Sequence, residues 1–310
     1  MTDWFFAPES ARRLATLRIL VGAYATIYSI VRLPYLLDSS RLGDDRFFGT
    51  GILTVFETPP PAWLVLPIGV TAIVAGAMMT LGWRYRLSAP LATLALLCTT
   101  TYGNSWGQVF HTENLMMLHI VVLSVVPAAD DLVIGKAAGR TSHDTDRDDR
   151  SAERYGWPIK LMVALMVLTY VAAGIAKLRI GGWAWVDGDV LRHQVAFDNL
   201  RKVRLDEIYS PLGTWLTQIT WVWLPVGIAT LLVELGAPVA FIQRRIRYLW
   251  VAAAWLFHVG IAATMVIAFP YHLSAIAYAA VLPTDQILAR AQTWLRQRRG
   301  AGSSADLASN

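Results

Sequence analysis

The chain has 310 residues, of which 55% are hydrophobic and only 16% are charged, and its formal net charge is +5. Soluble domains carry roughly a quarter charged residues, and the deficit falls in long apolar runs typical of helices that cross a bilayer. The basic residues lie in short clusters between these runs, which argues against nucleic acid as a partner. The single cysteine, Cys98, excludes an intrachain disulfide framework.

The apolar runs predict an all-α, polytopic membrane bundle, because a helix needs about 20 residues to cross the hydrocarbon core and must satisfy its own backbone hydrogen bonds there. About eight spans are expected, at residues 14–35, 62–82, 87–102, 112–128, 157–178, 219–241, 248–267 and 269–284. The first run is too long for the core of a cleaved signal peptide.

The basic residues also predict the orientation of the bundle. With both termini in the cytoplasm, 18 of the 27 lysines and arginines fall in segments on the inner side, as the positive-inside rule requires. We expect membrane lipid around the bundle and, from its compact form, a bacterial cytoplasmic membrane. The predicted domains are a transmembrane domain, residues 1–285, and a cytoplasmic amphipathic helix with a disordered tail, residues 286–310.

Two further segments stand apart from the spans. Residues 137–155 are polar and of mixed charge, which predicts a solvated cytoplasmic linker. Residues 179–218 form the longest outer connection. They carry too many apolar side chains for a random linker, so we expect them to include helix at the membrane surface.

Ionisable side chains within a membrane protein's spans are costly and therefore candidates for function. Residues 173–178 read Ala-Gly-Ile-Ala-Lys-Leu and are followed by Trp183. Lys177 ends the fifth predicted span on its outer side. It has two interpretations: a side chain that reaches to the interface, or a partly desolvated amine that acts as a general base.

Three other polar positions have a structural and a functional interpretation each. His111 and Asn114 open the fourth predicted span, either as a polar helix start or as groups that share an outer cavity with Lys177. Glu234 lies within the sixth span and needs a proton or a partner, such as Lys177 or His258. His258, within the seventh span, is otherwise an interhelical hydrogen-bonding group.

Several kinds of site are excluded by the spacing of residues. No H-x-x-x-H, H-x-x-E-H or clustered carboxylate pattern occurs, so no metal site is expected. Phosphate-binding, dinucleotide-binding and Gly-x-Ser-x-Gly motifs are absent as well.

Together these features resemble the HTTM (horizontally transferred transmembrane) family, whose domain is shared with vitamin K-dependent gamma-carboxylase. The resemblance spans about residues 10–285. It rests on the order of several short segments: residues 17–22 (LRILVG), 81–86 (LGWRYR), the His- and Asn-containing start of the fourth span, 173–178 (AGIAKL) with Trp183 and Gly188, then Glu234, and 258–261 (HVGI).

The resemblance implies a mechanism and its residues. In the carboxylase, a lysine in the matching segment is regarded as the base that deprotonates reduced vitamin K, and this role would fall on Lys177. A histidine near the start of the fourth span assists, and His111 is the nearest equivalent. Asn114, Trp183, Glu234 and His258 would then help to bind reduced vitamin K or menaquinone.

The resemblance leaves the substrate open. The carboxylase has a large luminal region that holds its peptide substrate, whereas here about 25 residues follow the last predicted span. A glutamate side chain or a secreted peptide remains a possible substrate. The alternatives are a non-enzymatic membrane factor for maturation or export of a peptide or lipid, and a transporter or channel. For the last, the paired interrupted helices expected in two matching halves are not found.

Overall fold

The computed structural model describes residues 2–107, 109–134, 145–290 and 293–294. Over these ranges the chain forms helices and turns and no β-strand. The α-helices are α1 (Thr2–Phe5), α2 (Ala11–Ser39), α3 (Ala62–Leu81), α4 (Tyr85–Asn104), α5 (Asn114–Ser124), α6 (Thr145–Gly181), α7 (Trp183–Val186), α8 (Asp189–Arg204), α9 (Pro211–Leu216), α10 (Trp223–Leu235), α11 (Arg244–Met265) and α12 (Pro270–Leu273). Short 3-10 helices lie at Asp44–Arg46, Gly51–Val55, Thr220–Val222, Ala237–Phe241 and Ile276–Tyr278.

Within the described chain, four helices are long and apolar enough to cross a membrane: α2, α3, the Glu153–Gly181 part of α6, and α11. The helix α5 and the stretch Thr220–Leu235 are apolar but shorter. The prediction of a helical membrane protein is therefore supported. Eight crossings and two cytoplasmic termini stay predictions.

The predicted eighth span, residues 269–284, is wrong as a continuous helix. It consists of the four-residue helix α12, a left-handed residue at Ala275 (φ 62°), the 3-10 helix Ile276–Tyr278 and turns. Tyr271 and Tyr278 in this segment are fully buried. The run is apolar because it fills the protein core, where large apolar side chains also collect.

The polar segment 137–155 also differs from the prediction of a linker. Its residues up to 144 lie outside the described chain, and from Thr145 onward the backbone is helical as the first part of α6. The predicted tail helix is helical where it is described, at residues 285–290 and 293–294. The rest of the tail lies outside the described residues.

Small residues bring α2 and α3 close together. A Cβ atom at Gly22 would lie 2.6 Å from the Thr80 hydroxyl oxygen, and one at Gly76 would lie 2.8 Å from that of Thr26. Close packing at small residues is how helices associate where lipid removes the hydrophobic driving force. The helix α4 packs on α3 and completes this half of the bundle.

Arg18, near the start of α2, is completely buried. Its guanidinium donates hydrogen bonds to the carbonyl oxygens of Ala128 (2.9 Å) and Leu132 (2.6 Å), in the segment after α5. A buried guanidinium must use its donors, so these bonds fix the segment against the start of α2.

The residues before α2 lie at the same end of the bundle as residues 280–285. Glu9 accepts from Lys160 of α6 (2.7 Å) and from Arg13 (2.6 Å). Arg13 also donates to the carbonyl oxygen of Ala280 (3.1 Å), and the Ser10 hydroxyl lies 3.3 Å from the Asp285 carboxylate. The beginning of α2 and the end of the described core are thus tied together.

The segment 179–218 is largely helical, as predicted, and packs on the C-terminal end of α11. Asn199 of α8 donates to the carbonyl oxygen of Thr264 (3.0 Å), and the Ser210 hydroxyl donates to that of Ala263 (2.6 Å). Lys202 donates to the Met265 carbonyl oxygen. These bonds satisfy carbonyls that the end of α11 leaves without partners.

Candidate functional site

One face of α6 positions the site. Tyr170, Gly174 and Lys177 follow one another at helical spacings of four and three residues, so they lie on the same face. A Cβ atom at Gly174 would lie 2.8 Å from the Leu235 side chain and 3.1 Å from Cβ of Glu234. The glycine therefore allows α10 to approach α6 closely enough for Glu234 to reach Lys177.

Lys177 forms an ion pair with Glu234 of α10. The Glu234 side chain is 3% exposed and that of Lys177 is 22% exposed. Oε1 of Glu234 accepts the hydrogen bond, and Oε2 is buried with no hydrogen-bond partner. A buried carboxylate oxygen without a donor costs free energy. Oε2 of Glu234 can therefore accept one more hydrogen bond.

Aromatic rings surround the amine of Lys177. Its Nζ lies 5.3 Å from the ring centroid of Trp185 and 5.9 Å from that of Phe257. Both distances are in the range of cation–π interactions. Trp185 is buried, because the short helix α7 turns it back toward α6.

A buried cluster of histidine and tyrosine side chains lies on α6, α11 and the segment around α12. The imidazole rings of His258 and His272 are stacked, with centroids 4.1 Å apart and planes at 11°. The hydroxyl oxygens of Tyr170 and Tyr278 lie 2.7 Å apart and 3.4 and 3.3 Å from Nδ1 of His258. The ring of Phe257 connects this cluster to Lys177, since it lies 5.1 Å from the His258 ring.

The structure brings some of the predicted residues together and separates others. Lys177 and Glu234 are in direct contact, and His258 is near them. His111 is exposed at the edge, where its ring lies 5.5 Å from that of Phe269. Asn114 begins α5 and is exposed.

Trp183 points away from the site. Its side chain is 82% exposed, and Trp185, two residues later, contacts the amine instead. The sequence did not distinguish these two tryptophans, because a helix of four residues has no apolar period to read.

Three other residues of the cluster were missed: His272, Tyr278 and Tyr170. His272 lies within residues 269–284, which the sequence predicts to be an eighth span. That prediction gave no reason to place it beside His258. Tyr170 carried a usable signal, because it precedes Lys177 by seven residues and so shares its face. His119, by contrast, makes the interhelical bond expected of a buried histidine: its Nδ1 lies 2.6 Å from the Tyr271 hydroxyl oxygen.

Two cavities lie elsewhere in the described chain. One of about 880 Å³ opens between the α3–α4 turn and residues 124–134, and one of about 260 Å³ lies between α2, α3, α4 and residues 52–60. Neither is lined by Lys177 or Glu234. No group of three or more potential metal ligands occurs in the described ranges.

The apolar helices and the buried ion pair define a helical membrane protein with a polar site among its helices. The model of the HTTM domain matches residues 6–282, essentially the whole chain, and the chain therefore belongs to the HTTM family. The HTTM domain is a membrane domain of the gamma-carboxylase family. No curated protein and no solved structure matches the chain.

Proposed function

We propose that this protein is a gamma-carboxylase-like membrane enzyme that uses a hydroquinone, such as reduced vitamin K or menaquinol, with Lys177 as the base. The observation that carries the proposal is the ion pair of half-buried Lys177 with buried Glu234, beside the rings of Trp185 and Phe257. A lysine used as a base needs a nearby group that takes its proton, and Glu234 is placed to do so.

The residues present fit an aromatic ring that bears hydroxyl groups. Trp185 and Phe257 supply flat apolar faces, on which aromatic rings pack favourably. The unpartnered Oε2 of Glu234 is an acceptor that needs a donor, and a hydroxyl group is one. When bound, a hydroquinone would supply reducing electrons and two acidic hydroxyl groups.

The chain's own residues would carry the first proton. The Lys177 ammonium gives a proton to Glu234, which leaves a lone pair on Nζ. The amine then takes the proton of a hydroxyl group held beside it. The ammonium that forms is stabilised by the faces of Trp185 and Phe257. Dioxygen would take the electrons of the hydroquinone. The group that is carboxylated is proposed to be a glutamate side chain or a secreted peptide at the outer face of a bacterial cytoplasmic membrane.

The test is menaquinol consumption by the purified protein in lipid nanodiscs, with dioxygen as the oxidant. Lys177→Met should reduce the rate by at least about 100-fold, which is the usual contribution of a general base. Lys160→Met is a matched control, because Lys160 lies on the same helix and pairs with another glutamate, Glu9. Its rate should stay close to that of the wild type. Full turnover by Lys177→Met would exclude this mechanism.

A second candidate function is a non-enzymatic factor that binds a lipid or a secreted peptide. The observation that favours it is the apolar surface of α8 and the residues after it, where Phe197 is 69% and Ile208 is 81% exposed. Native mass spectrometry separates the two. Copurified menaquinone supports the enzyme, whereas a copurified peptide or phospholipid without quinone supports the factor.

A further inference from the structure

We infer that His258 is a second hydrogen-bond acceptor of this site, held in place by stacking on His272, and that it binds the second hydroxyl group of a dihydroxy-aromatic substrate. The inference rests on the proposed function and deepens it. It gives the site two separate acceptors, Lys177 with Glu234 on one side and His258 on the other.

The hydrogen bonds of His258 define which ring nitrogen is the acceptor. Nδ1 lies 2.8 Å from the carbonyl oxygen of Ala254, one helical turn earlier. A carbonyl oxygen only accepts, so Nδ1 carries the hydrogen and donates it. In the neutral ring Nε2 then has the free lone pair.

His272 fixes the ring of His258 through its face. The two imidazoles are nearly parallel at 4.1 Å, and Nδ1 of His272 is buried without a hydrogen-bond partner. His272 is only 6% exposed. The stacking contact therefore fixes the plane of the His258 ring, in addition to the hydrogen bond from Nδ1 to Ala254. His272 is thus a positioning residue.

The other histidines near the cluster do not offer the same acceptor. Nε2 of His119 lies 3.2 Å from the Met162 carbonyl oxygen and so donates, while Nδ1 lies 2.6 Å from the Tyr271 hydroxyl and accepts from it. Both nitrogens of His119 are thus used. His111 is exposed, and its ring lies 5.5 Å from that of Phe269, which in turn lies 5.0 Å from that of His258.

His258 lies near the Lys177 amine, because the ring of Phe257 contacts both its imidazole and that amine. With one hydroxyl proton taken by Lys177, the second hydroxyl group donates a hydrogen bond to Nε2 of His258 and keeps its proton.

The test compares the binding of two probes, naphthalene-1,4-diol and 1-naphthol, to the full-length protein in nanodiscs without oxygen. Binding is followed by quenching of tryptophan fluorescence. The wild type should bind the diol about tenfold more tightly than the mono-hydroxyl probe, which corresponds to one additional hydrogen bond. Equal affinity for the two probes in the wild type would overturn the inference.

Variants assign the preference to residues. His258→Asn keeps an N–H group for the Ala254 carbonyl and removes Nε2, so the preference for the diol should vanish. His272→Phe keeps a stacked ring and should retain the preference, whereas His272→Ala should weaken it. His193→Gln, on the exposed surface of α8, is the control and should behave as the wild type.

The outcomes separate the inference from the proposed function. If neither probe binds the wild type, the aromatic site itself is wrong and both fail. If both probes bind and His258→Asn keeps the preference, His258 is not the acceptor while the role of Lys177 stands. Should His258→Asn fail to fold, equal affinity of the wild type for the two probes still overturns the inference, and a weakened preference in His272→Ala still supports it.

Discussion

At the scale of single residues, the central feature is a buried carboxylate, Glu234, whose only described ion-pair partner is the half-buried ammonium of Lys177. Removing one partner of such a pair leaves the other buried and uncompensated, which costs more than replacing both. Glu234 is almost completely buried, so leaving it without its partner costs more free energy than leaving Lys177 without its partner.

A double-mutant comparison tests this arrangement. We expect Lys177→Met to lower the free energy of unfolding by about 3 kcal/mol, because it leaves the Glu234 carboxylate buried without its cation. The double variant Lys177→Met with Glu234→Gln should recover most of that loss. Thermal unfolding in detergent measures both. A double variant that is less stable than the single one would contradict the pairing.

A second ion pair allows a test by pH. Burial alone would raise the pKa of Glu9, but its hydrogen bonds and ion pairs with Lys160 and Arg13 outweigh burial and hold the pKa below its ordinary value of 4.5. A carboxylate with a lowered pKa stabilises the fold above its ordinary pKa, and this contribution is lost as the pH falls through the lowered value.

We therefore expect Glu9→Gln to be less stable than the wild type at pH 7 and the difference to shrink as the pH falls below about 4.5. The measurement is the unfolding temperature of both proteins over a series of pH values. A difference that is constant from pH 7 to pH 3 would show that the carboxylate does not hold the end of the bundle.

The individual residues of the site could be foreseen only in part. Glu234 was expected to need a proton or a partner, with Lys177 and His258 as the candidates, and the structure pairs it with Lys177. Trp185 and His272 could not be foreseen, because which face of a short helix turns inward depends on tertiary packing. Whether these residues act on a quinone stays a prediction.

At the scale of helices, glycines decide how closely α6, α7 and α10 approach. Gly188 has a left-handed backbone (φ 85°), and a Cβ atom there would lie 2.0 Å from the Trp223 carbonyl oxygen. Only glycine combines this conformation with this contact. Gly188 therefore sets the position of α10, which carries Glu234.

Gly188→Ala should destabilise the protein by about 2 kcal/mol or more, through backbone strain and the clash with Trp223. Gly260→Ala is the control, because a Cβ atom there meets nothing within 4 Å and alanine suits a helix interior better. It should leave the unfolding temperature unchanged or raise it. Equal losses in both variants would disprove the account of Gly188.

The long helices were predictable because the thickness of the bilayer sets the length of the apolar run that a spanning helix needs. The runs 14–35, 62–82 and 248–267 match α2, α3 and α11 to within a few residues. Hydropathy failed at residues 269–284, since it does not distinguish apolar side chains that face lipid from those that fill the core.

At the scale of the whole molecule, the number of crossings remains to be measured. An arrangement with eight crossings and one with four differ in the side of the membrane on which they place two positions of the chain. With eight, Val109 between α4 and α5 lies outside, and Arg245 at the start of α11 lies inside. With only the four long helices crossing, both positions reverse.

Single-cysteine labelling of intact cells with a membrane-impermeant maleimide, in a Cys98→Ser background, distinguishes the two arrangements. We expect Val109→Cys to react from outside and Arg245→Cys only after the membrane is opened, following the distribution of basic residues. Arg41→Cys and Arg86→Cys are the controls, since both arrangements place them outside and inside respectively. Labelling of Arg245→Cys in intact cells would rule out the eight-span topology.

The most direct test of the whole account is a cryo-electron microscopy map of the protein in nanodiscs saturated with menaquinone. The account predicts density for the quinone ring against Trp185 and Phe257, with one ring oxygen within hydrogen-bonding distance of the Lys177 amine. A map that shows the ring bound in another part of the bundle, with Lys177 still closed on Glu234, would contradict it.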